Sequence, residues 1–424
     1  MNAHRAAVAG NGVSSVVVEE CQLCGSKNVE PVLFLGYMPP VNDFHAIGTT
    51  PAEQSSFPAQ VLQCMDCDLV QLGLVVDPSV LFPPSYPYTS GTTRILRENF
   101  ADLERHATEV LGLDKSALVI DIGSNDGTLL SNFQNAGYRV LGVEPTDVGQ
   151  KARDRGIDTK QAFFGAETGK KVREEYGPAK LVTAANVFAH IQDPHGVVEG
   201  ILELLDEDGV FISENHYLIP LLETLQYDTV YHEHLRYYSL NSLKNLFESH
   251  GMEVFEAKRI PTHGGSIRVF AGRKGQHEVT DAAKEIFASE PTGEDLRAEL
   301  DRFRERVVSS KLEIYRALAD IKSGGGRVVG ISAPSRAATL VNYVGLDDGI
   351  LDCLCEIKGS LKIGKYMPGT IIPVVDEEVL FAEDQPDAAL ILSWHIADEL
   401  ITILRKNGFK GKFIVPLPEV RVVE

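Results

Sequence analysis

No stretch of this chain is apolar for long enough to cross a bilayer, since a spanning helix needs about 20 consecutive apolar residues. The first twenty residues lack a basic start followed by an apolar core, so a secretory signal is not expected and a cytoplasmic location is. Residues Met1 to about Val16 read as a disordered leader. Basic residues are in deficit: 40 Lys and Arg stand against 60 Asp and Glu, a formal net charge of -20. That balance argues against nucleic acid as a partner, because phosphate binding relies on Lys and Arg. A small anionic substrate stays compatible where local donors outweigh the overall field. Six cysteines in 424 residues are too few for a fold built on disulfides. There is no GxGxxG loop, no low-complexity tract, and no internal repeat beyond a loose likeness between two αβ halves. The length, with 44% hydrophobic residues, suggests a globular protein of two to three domains.

The few cysteines are arranged to a purpose. Cys21-Gln-Leu-Cys24 and Cys64-Met-Asp-Cys67 form two CxxC pairs, and four thiolates from two such pairs close a tetrahedral zinc site. Gly25 permits the tight turn after the first pair. A closed four-thiolate site leaves no open position, so this zinc is expected to be structural. The alternatives are two pairs of free thiols or a redox motif. The redox reading is weakened because neither pair sits at a strand-to-helix junction. Cys353 and Cys355, on an apolar segment, read as buried core thiols.

Strands alternate with helices downstream. Asn99 to Leu111 has helical periodicity, and strands are expected at Leu118–Ile122, Arg139–Val143, Leu181–Ala185 and Gly209–Ser213. This alternation predicts an α/β fold, a parallel sheet with helices on both faces. A charged helical stretch follows from Asp281 to about Ile321, interrupted at Pro291-Thr-Gly293, with Leu296, Leu300, Phe303 and Val307 as its apolar stripe. Ser323-Gly-Gly-Gly326 ends it. A second αβ unit begins at Arg327, with further strands expected over 350–355, 388–392 and 412–415. The expected units are a leader over 1–16, a zinc-binding module over 17–82 and a cofactor-binding domain over 83–280. A helical linker over 281–323 and a Rossmann-like domain over 324–424 complete them.

Two segments carry the chemistry. Asp121-Ile-Gly-Ser-Asn-Asp-Gly127 follows a buried strand and resembles the first motif of class I S-adenosylmethionine methyltransferases. Gly123 and Gly127 let the backbone approach a ligand, Ser124, Asn125 and Asp126 line the loop, and a helix N-terminus lies beside it. Glu144, ending the next strand, is placed to accept both ribose hydroxyls. That geometry also serves dinucleotides, but the loop is not GxGxxG, and a sulfonium tolerates carboxylates better than a pyrophosphate does. The second segment is Tyr227-Asp-Thr-Val-Tyr-His-Glu-His-Leu-Arg-Tyr-Tyr-Ser239, which sets Tyr231, His232, Glu233 and His234 side by side. Histidine is suited to accept a proton at neutral pH, and a neighbouring tyrosine to hold the resulting oxyanion. A metal-ligand cluster or a polar strand end is the alternative.

With both CxxC pairs, VIDIGSNDG, ANVFAHIQDPH, YDTVYHEHLRYYS, HGGSIRVF, SAPSRAATLVNY and KIGKYMPGTIIPV in order, the chain resembles the nucleotide-sugar C-methyltransferases of the tetronitrose, mycarose and noviose type. The likeness runs from about Cys21 to Val415. It implies an N-terminal zinc domain, a class I methyltransferase domain and a C-terminal Rossmann-like domain that helps hold a TDP-linked 4-keto-6-deoxysugar. The implied reaction methylates a carbon next to the ketone, commonly C-3 and in some members C-5. Carried onto this chain, His234 is the base, assisted by Tyr231 and Glu233. Asn186 and His190 line the methyl-transfer pocket, and Tyr86 or Tyr88 is the active-site tyrosine. His263 and Arg268 read as a pocket wall. Ser332, Pro334, Ser335 and Arg336 read as a diphosphate cradle, although the family often has a lysine-type residue there. Lys365 and Tyr366 belong to a loop over the nucleotide. Methylation on oxygen or nitrogen, or a non-catalytic zinc scaffold, are the competing functions, and the oligomeric state stays open, a monomer included.

Overall fold

The strand Leu118–Ile122 is buried along its whole length, as a parallel strand covered on both faces must be. It lies within a seven-stranded sheet in the computed structural model, which describes residues 14–49, 54–82 and 90–424. The order across this sheet is Met252–Ile260, Ser266–Arg273, Leu205–His216, Ala179–Ala185, Leu118–Ile122, Arg139–Val143 and Thr159–Lys160. The last five run parallel, while Ser266–Arg273 is antiparallel to both its neighbours. The order in which strands are added reverses between Leu118–Ile122 and Ala179–Ala185, which opens a crevice beyond the carboxyl ends of the strands. The expected helix over 99–111 begins earlier, at Arg94, and ends on the left-handed Gly112.

The N-terminal module is a four-stranded antiparallel sheet in the order Arg236–Tyr237, Val70–Leu72, Phe57–Cys64, Val29–Met38. Its first strand therefore comes from the segment just past His234. The short strand His45–Ala46 leaves this module and pairs with Lys365–Tyr366 at the edge of the C-terminal sheet. Residue 82 is thus a boundary along the chain but not in space. Part of the expected disordered leader is also ordered: Ser15–Val17 pairs antiparallel with Leu74–Val76. Three residues with two valines suffice because a ready-made edge strand supplies the partner. Residues 1–13 lie outside the described residues.

Two helices, Asp281–Ser289 and Gly293–Ser323, flank the expected break at Pro291. The second is more than a linker. It buries Leu296, Leu300, Phe303, Val307, Ile314 and Leu318 in one core with the N-terminal sheet and the C-terminal domain. The C-terminal sheet has the order Arg421–Val423, Lys412–Val415, Ala388–Ile391, Val328–Ile331, Leu354–Glu356, Pro373–Asp376, Lys365–Tyr366, His45–Ala46. The strand expected over 350–355 is reduced to Leu354–Glu356, because Asp347 caps a turn through the N–H groups of Gly349 and Ile350. Cys355 is buried as expected; Cys353 is only partly so. Among the described residues no helix is long and apolar enough to cross a membrane.

Candidate active site

The loop after Leu118–Ile122 is held open by its backbone. Gly123, Asn125 and Gly127 all have positive φ, and a Cβ on Gly123 would come within 2.5 Å of the Val187 side chain. No larger residue fits there without displacing Val187. Asp126 caps the following helix, accepting from Thr128 N–H and Oγ1 at 3.2 and 2.6 Å. Ser90 and Gly91 N–H donate to Asn125 Oδ1 and Asp126 Oδ2 at 2.9 and 3.1 Å, docking the turn that leads into the Arg94–Leu111 helix on the loop. Glu144 is buried at the end of Arg139–Val143 and accepts from the N–H groups of Asn125 and Thr146 at 3.0 and 2.8 Å. Thr146 Oγ1 also donates to Oε1, at 2.6 Å, which fills that oxygen, while Oε2 keeps a lone pair with which a ribose hydroxyl can join this set. Asp121 is buried and accepts from Thr183 Oγ1 at 2.6 Å; burial, then Glu144 and Glu214, push its carboxyl up to about 7. Ser124 is buried too, with its Oγ 2.4 Å from where a Cβ on Gly142 would stand, so it packs closely against that strand. The glycine turn, the carboxylate at the strand end and the crevice together fit S-adenosylmethionine.

Val187 connects this loop to the second site, for it stands between Asn186 and the short helix Phe188–His190. Asn186 takes the left-handed conformation and donates its N–H to the Glu214 carbonyl at 2.8 Å. The segment is strapped to the histidine run. His190 Nδ1 donates to the Glu233 carbonyl at 2.5 Å and Leu235 N–H to the Ala189 carbonyl at 2.9 Å. Arg236 reaches the carbonyls of Ile191 and Gln192.

His234 is half-buried, with its ring 5.0 Å from that of His190 and 6.4 Å from that of His216. Its Nδ1 lies 2.9 Å from the Thr229 carbonyl and its Nε2 3.2 Å from Tyr231 Oη. A carbonyl only accepts, so Nδ1 carries the proton and Nε2 offers a lone pair, hydrogen-bonded by the tyrosine hydroxyl. Burial holds His234 well below the usual histidine range, helped by His190, His216 and His263. His216 is lowered to about 3 by burial and then by the Arg336 guanidinium. Solvent reaches His263 and His395, but they are pushed the same way, by the surrounding protein first and then by Arg336. Tyr231 is buried and raised well above 10, by burial first and Glu233 second, so it remains a neutral donor. Glu233 Oε1 accepts from Asn42 Nδ2 at 2.8 Å. The imidazoles of the cluster are therefore neutral at pH 7, each with a nitrogen lone pair.

The sulfurs of Cys21, Cys24, Cys64 and Cys67 lie within 4.8 Å of one another, as four ligands about 2.3 Å from one zinc require. Gly25 and Asp68, each just after the second cysteine of its pair, have positive φ. The two knuckles thus share one turn geometry. They are anchored on the methyltransferase domain: His195 Nε2 donates to the Leu23 carbonyl at 2.9 Å, and Asn245 Nδ2 to the Cys67 carbonyl at 3.2 Å.

Several expected contacts are corrected. Arg268 does not line a pocket. It is fully buried and bound to Glu214 at 2.7 Å and Asp102 at 3.0 Å, with Asn99 also in reach. Its donors are spent on carboxylates that the flanking strand and helix bring to it. Replacing Arg268 with methionine should cost about 3–5 kcal/mol, the usual effect of orphaning a buried carboxylate. Urea denaturation measures this, and a change below about 1 kcal/mol would refute the structural role. Arg336 does not face a diphosphate either; it is buried and paired with Asp228 through Nε and Nη2, both at 2.8 Å. Ser332 turns its Oγ to Ser393 Oγ at 2.6 Å, Pro334 precedes the helix Ser335–Val344, and Ser335 Oγ donates to Asn42 Oδ1 at 3.1 Å. Lys365 and Tyr366 form the strand next to the sheet edge, paired on both sides by Pro373–Asp376 and His45–Ala46. Tyr366 lines a cavity of about 430 Å³ with Tyr37, Gln54 and Asn342, which shares no residue with the histidine cluster. Tyr86 and Tyr88 lie outside the described residues.

Asn42, His216, Gln226 and Asp228 join the site without having been singled out. Asn42 is 191 residues from Glu233, and no local pattern signals such a pairing. Asp228 was legible as part of the Tyr-His-Glu-His segment, but its partner was not.

Comparison with known proteins finds three family models along the chain. Residues 21–82 match a family described as a zinc binding domain, residues 94–257 a methyltransferase domain, and residues 261–418 a C-methyltransferase C-terminal domain. C-methyltransferase NovU from Streptomyces niveus is 36% identical over 415 residues, spanning 96% of this chain and 97% of that protein. A ubiquinone biosynthesis O-methyltransferase from Colwellia psychrerythraea is 24% identical over 196 residues, 42% of this chain and 76% of that protein. Among solved structures, the PH0226 protein from Pyrococcus horikoshii OT3 is 14% identical, with a TM-score of 0.35 over 46% of this chain and 96% of its own.

Proposed function

The chain belongs to the sugar C-methyltransferase family, and from that premise we propose that it methylates carbon in a TDP-linked 4-keto-6-deoxysugar, at C-3, within deoxysugar biosynthesis for a natural product. A cytoplasmic location suits such a reaction. One observation carries the reading: His234 is a neutral imidazole, Nδ1-protonated by its bond to Thr229, with Nε2 beside a protonated tyrosine. A sugar carbon is not a nucleophile until a proton next to the carbonyl is removed. With the sugar bound, the single Tyr231 hydroxyl proton turns from Nε2 to the ketone oxygen on which the enolate charge gathers, and the freed Nε2 lone pair takes the carbon-bound proton. Glu233, fixed by Asn42, and His190, fixed by Glu233's own carbonyl, orient the sugar beside them. S-adenosylmethionine supplies the electrophilic methyl group. Asp121, the 123–127 loop, Glu144 and Asn186 hold it so that carbon and methyl are close and aligned, from which much of the rate derives.

Glu144→Gln should weaken S-adenosylmethionine binding about 10- to 100-fold, since hydrogen bonds to a charged acceptor contribute about 1.5–3 kcal/mol. Titration calorimetry reads this, and an unchanged Kd would remove Glu144 from the site. The function itself is tested with TDP-4-keto-6-deoxysugars and labelled methyl donor. A new methyl on C-3 in the product NMR spectrum is expected. A methoxy or N-methyl signal would overturn the proposal, and a methyl on C-5 would relocate the acidic carbon.

A further inference from the structure

We propose that Arg336, together with Trp394, is a positioning residue for methyl transfer: from the C-terminal domain it clamps Asp228 and so fixes the Thr229 carbonyl that orients His234. The inference rests on His234 being the base.

The geometry is specific. Arg336 meets Asp228 as a fork, Nε to Oδ2 and Nη2 to Oδ1, both at 2.8 Å. This bidentate arrangement restrains direction as well as distance. The indole Nε1 of Trp394 donates to Asp228 Oδ2 at 2.7 Å, and the guanidinium lies 4.9 Å from the centre of the Trp394 ring. Arg336 Nη2 also reaches Gln226 Oε1 at 3.2 Å, the oxygen that lies 3.1 Å from His216 Nε2. One helical turn on, Thr339 Oγ1 donates to the Val230 carbonyl at 3.3 Å. Residues 226, 228 and 230 are thus each gripped by the C-terminal domain, and Thr229 lies between the last two. Its hydroxyl bonds back to the Gln226 carbonyl at 2.7 Å, leaving its own carbonyl to accept from His234 Nδ1 at 2.9 Å.

A neutral imidazole carries one N–H, and the partner of one nitrogen decides which nitrogen is the base. Were the Thr229 carbonyl displaced, only the Tyr231 hydroxyl, which can accept as well as donate, would face the ring nitrogens, and Nε2 would lose its lone pair for part of the time. Asp228 is fully buried and Arg336 only 7% exposed. A buried ion pair of this kind is weak evidence for stability in itself, and here it joins the C-terminal domain to the loop that carries the base. The arginine thus acts on the chemistry without touching substrate.

The test uses the full-length zinc protein with Trp394→Phe, which deletes one donor to Asp228 and leaves the charge pair, and Arg336→Lys, which keeps the charge and loses the fork. Both should lower kcat about tenfold or more, the usual cost of disturbing a group that orients an imidazole. KM and S-adenosylmethionine Kd should stay within about twofold on the same principle. The 15N shifts of His234 should move from the Nδ1-protonated form toward a tautomer mixture. Exchange of the substrate's acidic C–H with deuterium, followed without methyl donor, should slow in step with kcat. Wild-type kcat and tautomer in both variants would overturn the positioning role, as would lowered thermal stability with neither readout moved. If His234→Asn itself retains full exchange, the assignment of the base fails and this inference with it. If His234→Asn abolishes exchange while both clamp variants keep it, only the clamp is refuted.

Discussion

Replacing His234 with asparagine is expected to lower kcat by about three orders of magnitude, within the 10²–10⁴-fold range typical of a lost general base. Binding of S-adenosylmethionine should persist, because the 123–127 loop and Glu144 are held by their own contacts and not by His234. Asparagine keeps a donor toward the Thr229 carbonyl, so the loop is preserved while the proton acceptor is lost. The pH dependence adds a second reading. Burial favours the neutral imidazole and holds the His234 pKa well below 6.5. The active form therefore persists as pH falls through 6.5, and kcat should stay flat there, declining only at lower pH as the ring finally protonates. An unperturbed histidine would already be half protonated at about 6.5. Near-wild-type turnover in the asparagine variant, or a rate that halves at pH 6.5, would contradict this account of the base.

Removing zinc should be as damaging, and for a different reason. Structural four-thiolate sites contribute on the order of 10 kcal/mol to folding, and this one sets the geometry of two knuckles whose carbonyls dock on His195 and Asn245. Asp68, next to Cys67, accepts from the N–H of Gly293 at 2.9 Å at the start of the long helix. The strand that follows, Val70–Leu72, pairs with Arg236–Tyr237, two residues past the base. Asn42 from the same module holds Glu233. Cys64→Ala or strong chelation should therefore release one zinc per chain and unfold the N-terminal sheet. Activity should drop by more than about a hundredfold, as expected when structural metal binding and folding are coupled. Metal analysis, circular dichroism and turnover read these in parallel. Full activity in metal-free protein would show that the module does not support the site.

The zinc cluster and the cofactor loop were legible in the chain because their chemistry is local. CxxC pairs, a glycine turn after an apolar strand and an acidic residue at the next strand end all act over a few residues. The parallel sheet was legible too, since Leu118–Ile122 and Lys412–Val415 are apolar runs bounded by turns. The two arginines were not. Arg268 and Arg336 are long cations near glycine- and serine-rich segments, which suggested a pocket wall for the first and a diphosphate cradle for the second. Their partners, Glu214 and Asp228, are 54 and 108 residues away in the chain.

By itself, then, the order of residues determined the class of fold, the cysteine cluster and the cofactor loop, and it nominated His234 for the base we propose. Only the tertiary structure decided that base's tautomer, the partner of each buried charge, and the joining of N-terminal and C-terminal domains around one loop. The physical reason is range. Backbone turns, caps and hydrophobic periodicity are fixed by near neighbours, whereas a buried ion finds its counter-charge wherever packing brings one within about 3 Å.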